Sequence, residues 1–246
     1  MSQAMDAPVD FAATVDLLWA GPKPRTRGPK PAHSLEEVLD AAIGLADREG
    51  LGAVSMQRLA EELGFTKMAL YRYVPGRPEL VAAMTDRGLG PPPADPGLGW
   101  RKGLEAWALA AFETFIAHPW GLEATTGPRV LGPNEADWTE AGLKLLAGLP
   151  LRGADRLDVL AVTISHMRAM AQQAAGAGSG AARGDGNEAL LTAGIRLHAD
   201  RFPEFARAVA ETAADGGADN GLSFGLNCIF DGVALRIGEA GHATPT

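Results

Sequence analysis

Beyond Ser34 the apolar side chains fall every third or fourth position, the spacing of one face of an α-helix. Leu35, Val38, Leu39, Ala42, Ile43 and Ala46 form the first such stripe. Ser34 and Glu37 stand in capping-box spacing ahead of it, and Gly50 and Gly52 close it. A shorter stripe, Met56, Leu59, Ala60 and Leu63, starts near Ser55 and is broken by Gly64. Thr66 suits the cap of a third helix running through Tyr73. Pro75-Gly76 turns the chain, and Pro78 suits the first turn of a fourth helix through Met84. Gly88 to Gly99 holds four prolines and four glycines and reads as a boundary. Past it, Leu104, Trp107, Ala108, Ala111, Phe112 and Phe115 form a clean amphipathic stripe that ends at His118-Pro119. Residues 119–133 read as loop. Further helices are expected over 134–149, 154–175, 188–198, 203–214 and 221–238, with a Gly/Ser/Ala-rich loop over 176–187. No alternating strand pattern of useful length is present, so the chain reads as all-α.

Residues 1–21 are weakly organised, with Val15-Asp16-Leu17-Leu18-Trp19 as a short docking element. Residues 22–33 carry four prolines, four cations and no acid, and read as a non-helical basic arm or a solvated linker. Such an arm can follow phosphates or a minor groove. The net charge of −8 argues against a nucleic-acid partner until its distribution is considered. Pro22 to Arg77 holds nine basic and seven acidic residues, whereas the rest of the chain holds 13 and 23. A locally basic segment on an acidic body fits a small DNA-contacting module. The one cysteine, Cys228, excludes an intrachain disulfide and reads as a small buried apolar residue. No apolar run reaches the roughly 20 residues of a membrane span. The first 21 residues contain no Lys or Arg, so a cytoplasmic, soluble protein without membrane attachment is expected.

The segment Ser55–Tyr73 carries the chemistry. Two short helices flank a tight turn at Gly64, and Leu59, Leu63, Phe65 and Leu70 supply a core. The second helix has too few apolar residues to be buried all round. Its free face offers Thr66, Lys67, Met68, Tyr71 and Arg72, and such a helix fits a major groove about 12 Å wide. The run Leu59-Ala60-Glu61-Glu62-Leu63-Gly64-Phe65-Thr66-Lys67-Met68-Ala69-Leu70-Tyr71-Arg72-Tyr73-Val74, followed by Pro75-Gly76-Arg77, resembles the signature of the TetR family of transcriptional regulators. With the helices on either side, the resemblance covers about 33–88. More loosely, His118-Pro119-Trp120, Leu131-Gly132-Pro133-Asn134 and Phe224 to Gly232 resemble the ligand-binding domain of the tetracycline-repressor subgroup.

The resemblance implies a division into an N-terminal extension and basic arm (1–33), a three-helix helix-turn-helix DNA-binding domain (34–88) and a helical bundle for ligand binding and dimerisation (89–246). It implies a homodimer that binds double-stranded operator DNA and is released by a small-molecule effector. Repression is the expected sign of regulation, with activation the alternative. By this resemblance Gln57 reaches a base, where its amide can pair with adenine, or is a solvated helix residue. Thr66 and Lys67 open the recognition helix, where backbone N–H groups favour a phosphate. Met68 meets a thymine methyl, and Tyr71 and Tyr73 touch phosphate or base edges, Tyr73 having packing as its alternative. Arg72 reads guanine or points to solvent, and Arg77 clamps phosphate or is solvated. Trp107, Phe112, His118, Trp120, Trp138, Lys144, His166 and Met170 line the implied pocket, although at helical spacing they equally suit a core. Helices 154–175 and 221–238, with Ala161, Ala171, Gly225 and Gly232, suit a dimeric four-helix bundle.

The resemblance carries over no full set of metal ligands, so no metal or cofactor is expected. An enzyme is disfavoured: there is no P-loop, no Gly-x-Ser-x-Gly elbow and no His-Glu-x-x-His.

Overall fold

The computed structural model describes residues 10–20, 33–176, 193–195, 198–214 and 221–242, and among them every regular element is helical. The expected basic arm up to residue 32, the 176–187 loop beyond residue 176, and most of the 188–198 helix lie outside the described residues.

Helix α1 (Phe11–Trp19) starts at Asp10, whose carboxylate accepts from the backbone N–H groups of Ala12 and Ala13. The residues read as a docking element are therefore a capped helix. Leu17 and Leu18 press on the N-terminal core. Helix α2 (Leu35–Glu49) begins with the capping box of Ser34 and Glu37. A 3-10 turn at Leu51–Ala53 leads to α3 (Met56–Glu62), capped by Ser55. Gly64 takes a φ of +66°, a left-handed conformation that a side chain would strain, and so aims the next helix across α3. That helix, α4 (Lys67–Leu70), is a single turn, shorter than the expected run through Tyr73, because Tyr71–Tyr73 relax into turn geometry. Helix α5 (Arg77–Leu89) runs five residues past its expected end at Met84. Val38, Ala42, Leu45, Val54, Leu59, Leu70, Val74, Leu80 and Met84, all fully enclosed, form the core of this head.

The larger part contains α6 (Gly99–Ala117), α7 (Trp120–Ala124), α8 (Pro133–Leu145), α9 (Gly153–Gly176), α10 (Pro203–Ala214) and α11 (Gly221–His242). The 119–133 segment is thus not all loop, since α7 interrupts it. Leu104, Trp107, Leu146, Leu160, Met167, Leu226 and Phe230 lie in its core. The α9–α11 crossing is close enough that a Cβ on Gly225 would lie 2.3 Å from the His166 ring, so glycine is required there. Cys228 is exposed, contrary to expectation. The inward face of α11 is set by Leu226, Phe230 and Val233, and position 228 falls outside that stripe.

Candidate DNA-reading face and ligand cavity

On the head, the threonine at the start of α4 accepts a hydrogen bond at Oγ1 from the Ala69 N–H at 3.2 Å, fixing the helix at its first residue. Thr66, Lys67, Met68, Tyr71 and Arg72 all face solvent, and Met68 is 76% exposed. Among the described residues no ion pair neutralises Lys67 or Arg72. By contrast Arg48 pairs with Glu62 at 2.5 Å and Arg58 with Glu49 at 2.8 Å. The open face of α4 therefore keeps its positive charge, while the cations behind it are spent on holding α2 and α3 together. Gln57 is exposed in the first turn of α3, with Nε2 donating to Glu61 Oε1 at 2.6 Å.

Tyr73 and Arg77 are half-buried and hydrogen-bonded within the head. The Tyr73 ring stacks on Phe65, with centroids 5.7 Å apart, and its hydroxyl donates to the His33 carbonyl at 3.1 Å. Arg77 Nε donates to the Val54 carbonyl at 2.8 Å and one Nη to the Leu51 carbonyl at 3.2 Å. The Leu51 carbonyl already accepts the Val54 N–H at 3.1 Å, so the guanidinium adds a second donor there and joins it to the Val54 carbonyl, a brace across the 3-10 turn.

The larger part and the end of α5 line a cavity of about 490 Å³ that is partly open to solvent. Of the residues named for the implied pocket, Trp107, His118, Trp120 and Trp138 line it. Phe112, Lys144, His166 and Met170 do not. Phe112 packs into the bundle core, whereas Phe115, three residues on, reaches the cavity. Lys144 pairs with Glu140 at 3.4 Å beside a second, smaller cleft. His166 packs against α11, with Nε2 3.0 Å from the Leu222 carbonyl. Met170 lies farther along α9 than Arg168, the last residue of that helix to reach the cavity.

The sequence reading missed the polar wall. Asp86 from α5 caps the start of α8: its carboxylate accepts from the backbone N–H groups of Asn134 and Glu135, at 3.3 and 3.2 Å, and from the Asn134 amide at 3.0 Å. A Cβ on Gly132 would lie 2.1 Å from Asp86 Oδ1, so this approach requires glycine. Burial raises the Asp86 pKa above the usual carboxylate range, and those hydrogen bonds only partly oppose it. Arg129 grips both oxygens of Glu135 in a bidentate pair. Arg168, from α9, donates to the Thr125 hydroxyl and the Leu122 carbonyl and lies over the Phe115 ring at 5.4 Å. An i,i+3/i+4 search along single helices could not find this wall, because its members come from α5, α6, α8, α9 and the segment after α7.

Head and cavity share parts. Helix α5 holds Leu80, Ala83 and Met84 in the head core and presents Thr85, Asp86, Gly88 and Leu89 to the cavity. Trp120 lines the cavity yet is packed into the head core, with its ring tip 3.4 Å from the Cβ position of Gly88. Its Nε1 donates to Asp47 Oδ1 of α2 at 2.6 Å, and His118 Nδ1 lies 2.8 Å from the same oxygen. From α1, Trp19 Nε1 donates to the Leu131 carbonyl at 2.9 Å, a second tie across the two parts.

Residues 38–84 match the model of bacterial regulatory proteins of the tetR family, and residues 92–237 match that of the tetracyclin repressor-like C-terminal domain. The chain is 36% identical over 245 residues to the HTH-type transcriptional repressor DrrR1 of Streptomyces coeruleorubidus, covering 94% of this chain and 90% of that protein. It is 27% identical over 208 residues to the class A tetracycline repressor protein of transposon 1721 from Escherichia coli, covering 81% and 89%. Among solved structures it resembles the Streptomyces coelicolor TetR family protein ActR in complex with actinorhodin, with a TM-score of 0.70 and 25% identity over 85% of this chain and 100% of that one. A helix-turn-helix head on an all-helical bundle, matched by both family models, makes this chain a member of the tetR family of bacterial regulatory proteins, a DNA-binding transcriptional regulator with a tetracyclin repressor-like C-terminal domain.

Proposed function

We propose that this protein is a cytoplasmic, homodimeric repressor that binds double-stranded operator DNA through its head and leaves it when a small molecule occupies the cavity. The observation that carries this reading is α5, one unbroken helix shared between head core and cavity wall. A ligand that moves Asp86, Gly88 or Leu89 moves the helix on which the head is built. Trp120 and His118 reinforce the link through Asp47. The similarity to a repressor along nearly the whole chain and to a relative solved with a bound small molecule supports the same assignment.

In this reading Thr66, Lys67, Met68, Tyr71 and Arg72 meet the major groove, and Gln57 exchanges Glu61 for a base. Tyr73 and Arg77 hold the head rigid behind them. The division falls in the proline-rich stretch after α5, with 34–88 as the reader, 89–246 as the sensor and 1–33 as an extension whose helix α1 clasps both. Dimerisation uses α9 and α11, where Val162, Phe224 and Leu235 lie exposed. Phe224 is 69% exposed, which a partner copy would relieve.

Selection from random duplex DNA, followed by sedimentation of the complex, tests the reading. The expected result is a near-palindrome with half-sites about 34–36 Å apart, bound by one dimer. A stable monomer that binds an isolated half-site as tightly would overturn it.

A further inference from the structure

The hydrogen-bonding groups around the cavity show an imbalance that names the chemistry of its ligand, provided the cavity is the sensor site proposed above. The tryptophans of the wall have no donor to spare. Trp107 Nε1 donates to the Trp138 carbonyl at 3.0 Å, Trp138 Nε1 to the Gly90 carbonyl at 2.9 Å and Trp120 Nε1 to Asp47 at 2.6 Å. They present ring faces only. The hydroxyls are likewise committed. Thr85, Thr114, Thr125, Thr126 and Thr139 each donate to the carbonyl four residues earlier in their own helix or turn. What they offer a ligand is acceptor lone pairs.

The charges divide the same way. Glu135 is neutralised by the bidentate Arg129, and the Asp86 carboxylate is held by the N-terminal N–H groups of α8 and by Asn134. Of the two cations among these four, Arg129 is paired with Glu135 and Arg168 has no countercharge. Its two hydrogen bonds go to neutral oxygens, those of Thr125 and Leu122, and among the described residues it forms no ion pair. Two of its five N–H bonds are used, and among the described residues no hydrogen bond takes the other three. Partial burial, and then the positive charge of Arg129, both push its pKa down, the mark of a cation short of an anion.

We infer that the effector is a flat, largely apolar molecule bearing an acidic oxygen group, and that its anion pairs with the Arg168 guanidinium while its body lies against Trp107, Trp120, Trp138 and Phe115. A carboxylate or an ionised phenol meets the requirement, because a guanidinium takes a charged oxygen more strongly than a neutral one. A cationic ligand is less well served, since Glu135 is already paired with Arg129 and Asp86 already accepts three hydrogen bonds from the start of α8.

The test uses two probes of one shape, anthracene-9-carboxylate and anthracene-9-carboxamide, with the full-length protein at neutral pH. Binding is followed by tryptophan quenching and by calorimetry. The carboxylate should bind about tenfold to a hundredfold more tightly than the carboxamide. Arg168→Gln should erase that preference while leaving carboxamide affinity within about threefold. Arg168→Lys, which keeps the charge, should retain part of the preference and shows that loss in the glutamine variant is not misfolding. Equal affinity of the wild type for both probes, or a preference that survives in Arg168→Gln, overturns the anionic assignment and leaves the cavity as sensor. Failure of both probes to bind sinks the sensor reading for flat aromatic ligands, and this inference with it.

Discussion

The head keeps its chemistry outside its core, and the sensor keeps its chemistry inside. In the head, α2, α3 and α5 close around mostly aliphatic side chains, and the polar groups of α4 project into solvent. In the sensor, longer helices pack less completely and leave about 490 Å³, into which Asp86, Arg129, Glu135 and Arg168 converge. A surface that must meet a rigid partner needs a rigid base, so the head commits even its cations, Arg48, Arg58 and Arg77, to bracing. A cavity that must respond to its contents needs walls belonging to more than one element, so occupation can move one against another. Asp86 on α5 against the start of α8 is such a joint, and Trp120 on Asp47 is another.

The sharpest way to break this contrast is to damage one part and examine the other. Leu59 is fully enclosed in the head, and Leu59→Ala should cost about 2–5 kcal/mol. Operator binding should collapse while a cavity ligand still quenches the sensor tryptophans. Loss of both together, measured on the same preparation, would mean the two parts form one indivisible core.

Arg77→Ala separates bracing from reading. The Val54 carbonyl loses the Arg77 donor and the Leu51 carbonyl keeps only the Val54 N–H, at a cost of about 1–3 kcal/mol at most. Denaturant titration should show the loss, and the salt dependence of operator binding should keep its slope. A slope flatter by about one unit would instead restore Arg77 to the phosphates.

Asp47→Asn probes the joint. The carboxylate that holds both His118 and Trp120 becomes a neutral amide, leaving operator and ligand affinities near wild type when each is measured alone. Their mutual effect, expected at about 1–3 kcal/mol in the wild type, should shrink. Unchanged coupling would assign the transmission to α5 and Asp86 without the α7 contact.

The smallest effect concerns pH. Asp86 has a folded pKa raised above 3.8, so its contribution to stability is fully present below that unfolded value and is lost as pH rises through the folded one. Asp86→Asn removes the titration. The variant should therefore gain on the wild type as pH rises from about 3.5 toward neutrality, in denaturant melts at each pH. A difference that moves the other way would show that the hydrogen bonds to α8 outweigh the burial.

How far the sequence spoke follows the same division. Ser34, Glu37, Ser55, Gly64 and Thr66 mark helix ends by local chemistry, and the structure uses each of them in that place. The outward face of α4 was legible because a short helix with few apolar residues must leave one side bare. Tyr73 and Arg77 were not, since their direction depends on carbonyls at 33, 51 and 54, far away along the chain. In the sensor, periodicity found the helices but could not tell a core position from a cavity wall. Phe112 and Phe115 fall on the same stripe, and only the shape of the packed bundle sends one to the core and the other to the cavity. Arg129 and Arg168 gave no signal at all, because a charged residue on a helix or in a loop reads as solvated until the rest of the chain folds around it.

The central claim is that cavity and head are parts of one equilibrium, and reciprocity tests it most directly. Affinity for a selected operator is measured with and without a saturating cavity ligand, and ligand affinity with and without operator. The account predicts that each weakens the other by the same factor, about 5- to 150-fold. A ligand that fills the cavity and leaves operator affinity unchanged would contradict it.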